Sequence, residues 1–229
     1  LTMQSYTRAF LAFVLGCSVG LGTTVYATAL PECEENSGLS SDCLNIVVES
    51  PVCDPELNLL QNGDFEQPVL RPNTWNIFPD SSIDPTSLLD WFVNWVIPQN
   101  GGILGLELQS GVAGTPPQGS AQFAELDGDH PVVIAQTIIT IPGKVYEIAF
   151  DFSARPGYGS LDNTLAVRQN GTQLGDTIVA SGENEKDTVW THHTRQFIAV
   201  DPVTIIEFAD LGTDNSIGTY LDNTRLVCV

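Results

Sequence analysis

The chain has 229 residues, 42% of them hydrophobic, enough for one substantial domain or two small ones with a packed core. Lys and Arg total 8 against 28 Asp and Glu, a formal net charge of -20. That balance argues against nucleic-acid binding, which needs a basic footprint to neutralise phosphates, and against an anionic membrane surface.

The N-terminal stretch reads as a signal peptide over residues 1–29. Met3 is the expected start of translation, Arg8 supplies a short positive region, and an apolar run extends from Ala9 to about Leu21. "VYATA" then ends at Ala29, with Ala27 and Ala29 in the A-x-A positions that signal peptidase accepts. The run is too short to span a bilayer, so the mature chain is expected to be secreted, extracellular or periplasmic, without membrane insertion. A rival is "VLGC" at 14–17, a lipoprotein-like box with Cys17 as the lipidated residue, although Leu15 fits that box poorly.

Without Cys17, four cysteines remain: Cys33, Cys43, Cys53 and Cys228. Four cysteines allow three pairings. Export makes disulfides the default, and the lack of CxxC or of histidines at zinc-finger spacing disfavours zinc. Residues 30–56, rich in Pro, Glu, Ser and Cys, read as a leader held by a disulfide.

From Leu57 the texture changes to short apolar runs between Gly, Pro, Asn and Asp. Strands are expected at "WFVNWVI" (91–97), "AQFAEL" (121–126), "VVIAQTIITI" (132–141), "KVYEIAFDF" (144–152), "NTLAVRQN" (163–170), "TIVA" (177–180), "TRQFIAV" (194–200), "VTIIEFAD" (203–210) and "TRLVCV" (224–229). In "KVYEIAFDF", Tyr146, Ile148, Phe150 and Phe152 share one face and Val145, Glu147, Ala149 and Asp151 the other, a strand with one strongly apolar face. Asn170-Gly171 suits a two-residue hairpin. Many short strands without helices predict an all-β sandwich.

"NLLQNGDFEQP", Trp95, "GSAQFAELDG", "IAQTIITIPGKVYEIAFDFSARPG" and "GTYLDNTRL" follow one another in the order seen in galactose-binding-like jelly rolls. Over residues 57–229 the chain most resembles the domain-of-unknown-function 642 group, known from plant cell-wall proteins and secreted bacterial proteins. Related carbohydrate-binding modules share the opening "NG-x-FE" and the closing aromatic-x-D-[DN] pattern. The resemblance implies a jelly-roll β-sandwich whose first and last strands are neighbours, with a structural calcium between them. Carried over, Glu66 and Asp222 are side-chain ligands and Asp64 gives its carbonyl. Calcium wants six to eight hard oxygens, and two carboxylates near buried strand ends repel each other without a cation. The plainer reading is that Asp64 and Asp222 shape turns. The same neighbourhood implies a Cys53–Cys228 bridge, leaving Cys33 to pair with Cys43.

Glycan contact is expected from Trp75, in the loop-like "RPNTWNIF", and from Arg155, Tyr158 and Asp162 in "SARPGYGSLDN". Aromatic rings offer a platform to a sugar's CH face and polar side chains bond its hydroxyls. Arg155 has the alternative of pairing with a carboxylate, and tryptophans such as Trp95 are commonly core. Glu125, Asp127 and Asp129 alternate in "AELDGD" and offer either a glycosidase-like acid and base or solvated strand-end carboxylates. His192 and His193 on one strand point to opposite faces and cannot share a metal; a solvent-facing edge strand is expected. His130 is given a turn role. No G-x-S-x-G, HExxH or P-loop occurs. The expected function is therefore a non-catalytic module binding polysaccharide in an envelope or matrix. A surface adhesion protein with a protein partner, such as a cell-envelope protein, stands second, and a glycan-active enzyme last.

Overall fold

The computed structural model describes residues 24–29, 44–49, 52–79, 92–94 and 105–229, with backbone alone for 24–29, 44–49, 79 and 92–94. The chain divides into two units, Leu1–Val52 and Cys53–Val229. In the first, β1 (Thr24–Ala29) pairs antiparallel with β2 (Leu44–Glu49), Thr24 opposite Glu49 and Ala29 opposite Leu44. The β-branched run of "LNIVVE" accounts for β2, a strand not expected within the 30–56 leader. Cys17, Cys33, Cys43, Trp91 and Trp95 lie outside the described residues, and with them the Cys33–Cys43 pairing.

The second unit holds β3 (Thr74–Pro79), β4 (Phe92–Asn94), β5 (Gly105–Ser110), β6 (Phe123–Glu125), β7 (Val133–Ile139) and β8 (Val145–Ser153). It continues with β9 (Thr164–Gln169), β10 (Thr172–Gln173), β11 (Ile178–Val179), β12 (Thr191–Ile198), β13 (Val203–Asp210) and β14 (Tyr220–Cys228). Every pairing is antiparallel. One sheet runs β12-β8-β14-β6-β5-β3; the other runs β10-β9-β13-β7-β4, with β11 also on β9. The described residues contain no helix, and the fold is the expected jelly-roll β-sandwich.

β8 shows why the sheets meet. Its even-numbered residues Tyr146, Ile148, Phe150 and Phe152 are all buried, while Val145, Glu147, Ala149 and Asp151 are half-exposed. Phe150 reaches across to Phe208 of the other sheet, ring centroids 5.2 Å apart and edge-on. Each fully buried phenylalanine stabilises by about 1.5–3 kcal/mol relative to exposure. The Asn170-Gly171 hairpin also forms as expected: φ is 49° and 75°, and Thr172 pairs with Gln169.

Two expectations need correction. Trp75 is not in a loop; it lies within β3, the edge strand that pairs with β5. "GLELQS" was not expected as a strand, yet it forms β5, with every residue buried. The segment before β3 is not a strand either, but it runs beside the last one. Leu59 donates its N–H to the Leu226 carbonyl at 2.8 Å, and Asn58 Oδ1 accepts from Leu226 N at 2.9 Å. Cys53 and Cys228 are joined, with Cα atoms 5.1 Å apart, as the neighbourhood of the two chain ends implied.

Candidate functional site

In the β12-β8-β14-β6-β5-β3 sheet, one residue in two faces away from the core. Leu106, Leu108, Ala124, Leu126, Leu221 and Phe150 belong to the core cluster. The intervening residues form a row on the outer face: Ile77 opposite Glu107, Glu107 opposite Glu125, Glu125 opposite Tyr220, and Tyr220 opposite Ser153. A second row sets Trp75 opposite Gln109 and Gln109 opposite Phe123. The first row is mainly polar, while the second carries the aromatic rings of Trp75 and Phe123.

Much of this outer face is nevertheless buried, because two loops fold onto it. Tyr220 donates its hydroxyl to the Ala113 carbonyl at 3.2 Å, and Ala113 N donates to Gln109 Oε1 at 3.3 Å. Trp190 packs edge-on against Phe123 at 5.5 Å and donates Nε1–H to the Thr115 carbonyl at 2.8 Å. Asp187 accepts from Thr115 N and Thr115 Oγ1, both at 2.7 Å, which clips the 111–121 loop to the 182–190 loop.

Beneath them sits a charged cluster. Glu125 is fully buried and Glu107 is 7% exposed. Gln109 Nε2 bridges them, donating to Glu107 Oε1 at 3.0 Å and to Glu125 Oε2. Arg155 Nη1 pairs with Glu125 Oε1, which also accepts from Gly218 N at 3.0 Å. The Arg155 guanidinium lies over the Tyr158 ring at 5.4 Å. Burial pushes the Glu125 carboxyl up to about 8; Arg155 opposes the rise and Glu107 adds to it. Burial raises Glu107 as well.

Of the four residues expected to touch a glycan, three converge. Arg155 and Tyr158 stack, and Asp162 Oδ1 accepts from Asn215 Nδ2 at 2.9 Å in the loop that also offers the Ser216 carbonyl to Arg155 at 3.3 Å. Arg155 takes the alternative of a carboxylate partner. Trp75 stands apart on β3, 54% exposed. β3 and β6 are two strand spacings apart, so Trp75 and the Glu125–Arg155 pair are separated by roughly 10 Å across one face.

Of the other alternating carboxylates, Asp127 is shut off from solvent and Asp129 is half-buried. Asp127 is buried, its Oδ2 accepts from Asn215 N at 3.3 Å, and burial pushes it up to about 6. His130 is buried, its Nδ1 2.8 Å from Asp214 Oδ1. His192 and His193 face opposite ways on the edge strand β12: His192 bonds Asp151 at 2.8 Å, and His193 stacks on Phe150 at 5.5 Å.

The implied calcium ligands also come together. Gly63 lies so close to β14 that a Cβ there would stand 2.2 Å from the Thr224 carbonyl, and Thr224 N donates to the Gly63 carbonyl at 2.7 Å. Only glycine allows this approach. It brings Glu66 beside Asp222. Glu66 Oε1 accepts from Ala121 N at 2.6 Å and Gln122 N at 3.3 Å. Asp222 is 0% exposed; its Oδ1 accepts from Asn223 N at 2.6 Å and its Oδ2 has no hydrogen-bond partner. Burial pushes the Asp222 carboxyl up to about 8; the Asn223 N–H and the Ser120 side chain oppose the rise, and Glu66 and Asp151 add to it. The Asp64 side chain is exposed, its Oδ1 3.5 Å from Glu66 N. An unpartnered buried carboxylate oxygen beside a second carboxylate fits a hard cation. Among the described residues no three His, Cys, Asp or Glu side chains form a metal-ligand group, so such an ion would take its other oxygens from main-chain carbonyls and water.

Glu107, Gln109, Asp151 and Asn223 were not singled out by sequence reasoning. The signal for the first two was the alternation of Leu106 and Leu108 with Glu107 and Gln109 in "GLELQS".

No family model and no curated protein matches the chain. Among solved structures it is similar to a CBM4 structure, at 18% identity and a TM-score of 0.43, covering 74% of this chain and 99% of that one. It is similar also to the CBM22-1 xylan-binding domain from Paenibacillus barcinonensis, at 12% identity and a TM-score of 0.42, covering 68% and 93%. A third is an arabinose-bound α-L-arabinofuranosidase, at 14% identity and a TM-score of 0.45, covering 75% of this chain and 26% of that one.

Proposed function

We propose that the chain is a secreted, non-catalytic carbohydrate-binding module of the galactose-binding-like class, akin to the domain-of-unknown-function 642 group. It binds polysaccharide and carries a structural calcium at Glu66 and Asp222, with the Asp64 carbonyl as a further ligand. The observation that carries the glycan reading is Trp75. Its indole is held on a paired strand yet 54% exposed, a rigid apolar plate on the polar outer face of the sheet. Sugar rings stack on such plates, and a single stack contributes roughly 1 kcal/mol beyond burial, so repeated weak contacts along a polymer suit it. Tyr158 and Asp162 offer further contacts at the loop end of the same face, while Arg155 serves mainly to neutralise Glu125.

One feature speaks against catalysis. Glu107 and Glu125, the cross-strand carboxylate pair, are buried and bridged by Gln109, which leaves no gap for a sugar between them. A protein partner finds support in the other sheet, where Ile139, 47% exposed, and Ile205, 40% exposed, stand on neighbouring strands.

A broad polysaccharide array with the full chain, run in calcium and in EDTA, tests the reading. Binding to a polysaccharide is expected, weakened by Trp75→Ala without loss of fold. No binding anywhere on the array in calcium would shift the assignment to the protein-partner reading.

A further inference from the structure

We infer that Asn223 is the positioning residue of the Asp222 site, bridging Asp222 to Asp151 so that the unpartnered Asp222 oxygen is held ready for the cation. The inference rests on the calcium reading above. Its basis is an irregularity in β14. The register against β8 shifts between Asp222 and Arg225, and Asn223 has φ +49°. That left-handed conformation is rare outside glycine, and asparagine is among the few other residues that adopt it readily. In a regular strand, Asp222 and Asn223 would point to opposite faces. The bulge re-aims Asn223, and both side chains serve the outer face.

The result is a continuous side-chain chain across three strands. Asp222 and Asp151 are directly opposite on β14 and β8, a like-charge pair that opposes sheet formation. Asn223 places a donor on each: its N–H to Asp222 Oδ1 at 2.6 Å and its Nδ2 to Asp151 Oδ2 at 2.8 Å. Asp151 is fixed from the other side by His192, which stands opposite it on β12 with Nδ1 2.8 Å from Oδ1. With Oδ1 of Asp222 engaged and Asp151 occupied at both oxygens, Asp222 Oδ2 is the oxygen left over in this group. Asn223 thereby sets both the position of the carboxylate and which oxygen is free. Asp151 is a supporting residue rather than a ligand.

Calcium titration calorimetry on the full chain, paired with melting in EDTA, tests this. Asn223→Gly keeps the left-handed backbone and the N–H but deletes the amide. It is expected to weaken calcium binding about tenfold, the usual scale for outer-shell partners, with little change in the EDTA melt. Asn223→Asp alone is expected to weaken it too, by setting a carboxylate against Asp151. The double variant Asp151→Asn with Asn223→Asp exchanges amide and carboxylate, rebuilds the bridge and should recover most of the affinity. Affinity in Asn223→Gly equal to wild type, or a double variant as weak as Asn223→Asp, overturns the inference while Asp222→Asn still abolishes binding. Absence of calcium binding in the wild type overturns the calcium reading itself, and this inference with it.

Discussion

Glu125 and Asp222 occupy the same face of the same sheet, are both fully buried, and are both pushed up to about 8 by burial. Their partners differ. Glu125 has a guanidinium, an amide and a backbone N–H; Asp222 has the Asn223 N–H and the neighbouring Ser120 side chain, no cationic partner, and an Oδ2 that makes no hydrogen bond. Taking a carboxylate out of water costs several kcal/mol unless charge and hydrogen bonds are returned to it. At Glu125 the chain returns them with Arg155. At Asp222 it supplies a second carboxylate, Glu66, instead of a cation. One arrangement is complete in itself, and the other, on the function proposed above, is completed by a cation.

The largest expected effect separates the two sites by position. The Cys53–Cys228 bridge ends on β14, the strand of Asp222, and closes a sequence separation of 175. Cys53→Ser with Cys228→Ser is predicted to cost about 4 kcal/mol in denaturant melts. It should also weaken calcium binding, because it frees the chain end that carries Glu66 from the strand that carries Asp222. Unchanged calcium affinity in a folded double variant would show that the loop–strand contact at Gly63 and Thr224 suffices.

Arg155→Met breaks the internally complete site. Above pH 8, where Glu125 has released its proton, it leaves a buried carboxylate without its counter-charge, and a loss of about 3 kcal/mol is expected there, with the calcium response intact. A loss below about 1 kcal/mol would mean that Glu125 simply keeps its proton in the variant.

Acidity distinguishes the sites next. A carboxyl raised from 4.5 to about 8 holds its proton in the folded state after the unfolded chain has released it. Its contribution is fully present below pH 4.5 and is lost as pH rises through 8. In EDTA the protein should therefore melt higher at pH 5 than at pH 8, by about 5 °C for a difference of about 2 kcal/mol. Glu125→Gln should remove its share of that slope. A slope indifferent to this substitution would contradict the burial argument.

The smallest effect belongs to the exposed plate. Trp75→Ala should cost about 1 kcal/mol of glycan affinity and leave the melt nearly unchanged, since the indole covers little of the core. A large loss of stability instead would make Trp75 a packing residue.

What could be read from the residues in order follows the locality of the forces. β8 was legible because alternation of Tyr146, Ile148, Phe150 and Phe152 is a local pattern with one cause, burial against the second sheet. Asn170-Gly171 was legible because two consecutive positive φ values select those residues. β5 was missed because Glu107 and Gln109 argue for solvent, and the loops at 111–121 and 182–190 that cover them arrive from elsewhere in the chain. β3 was missed because Pro72 and Asn73 mark a turn, and its pairing partner is β5 itself. Asp222 was reached through the motif "TYLDN". That its second oxygen stands unpartnered depends on the bulge at Asn223 and on Gly63 lying against Thr224, contacts that no local pattern announces.

The most direct test of the account is thermal melting of the wild type and of Asp222→Asn, each in EDTA and in saturating calcium. Because the ion binds only the folded chain, calcium at about 100 times its dissociation constant should stabilise the wild type by about 2.7 kcal/mol, roughly 5–10 °C. Asp222→Asn should melt alike in both solutions. Identical wild-type melting in EDTA and in calcium would contradict the account.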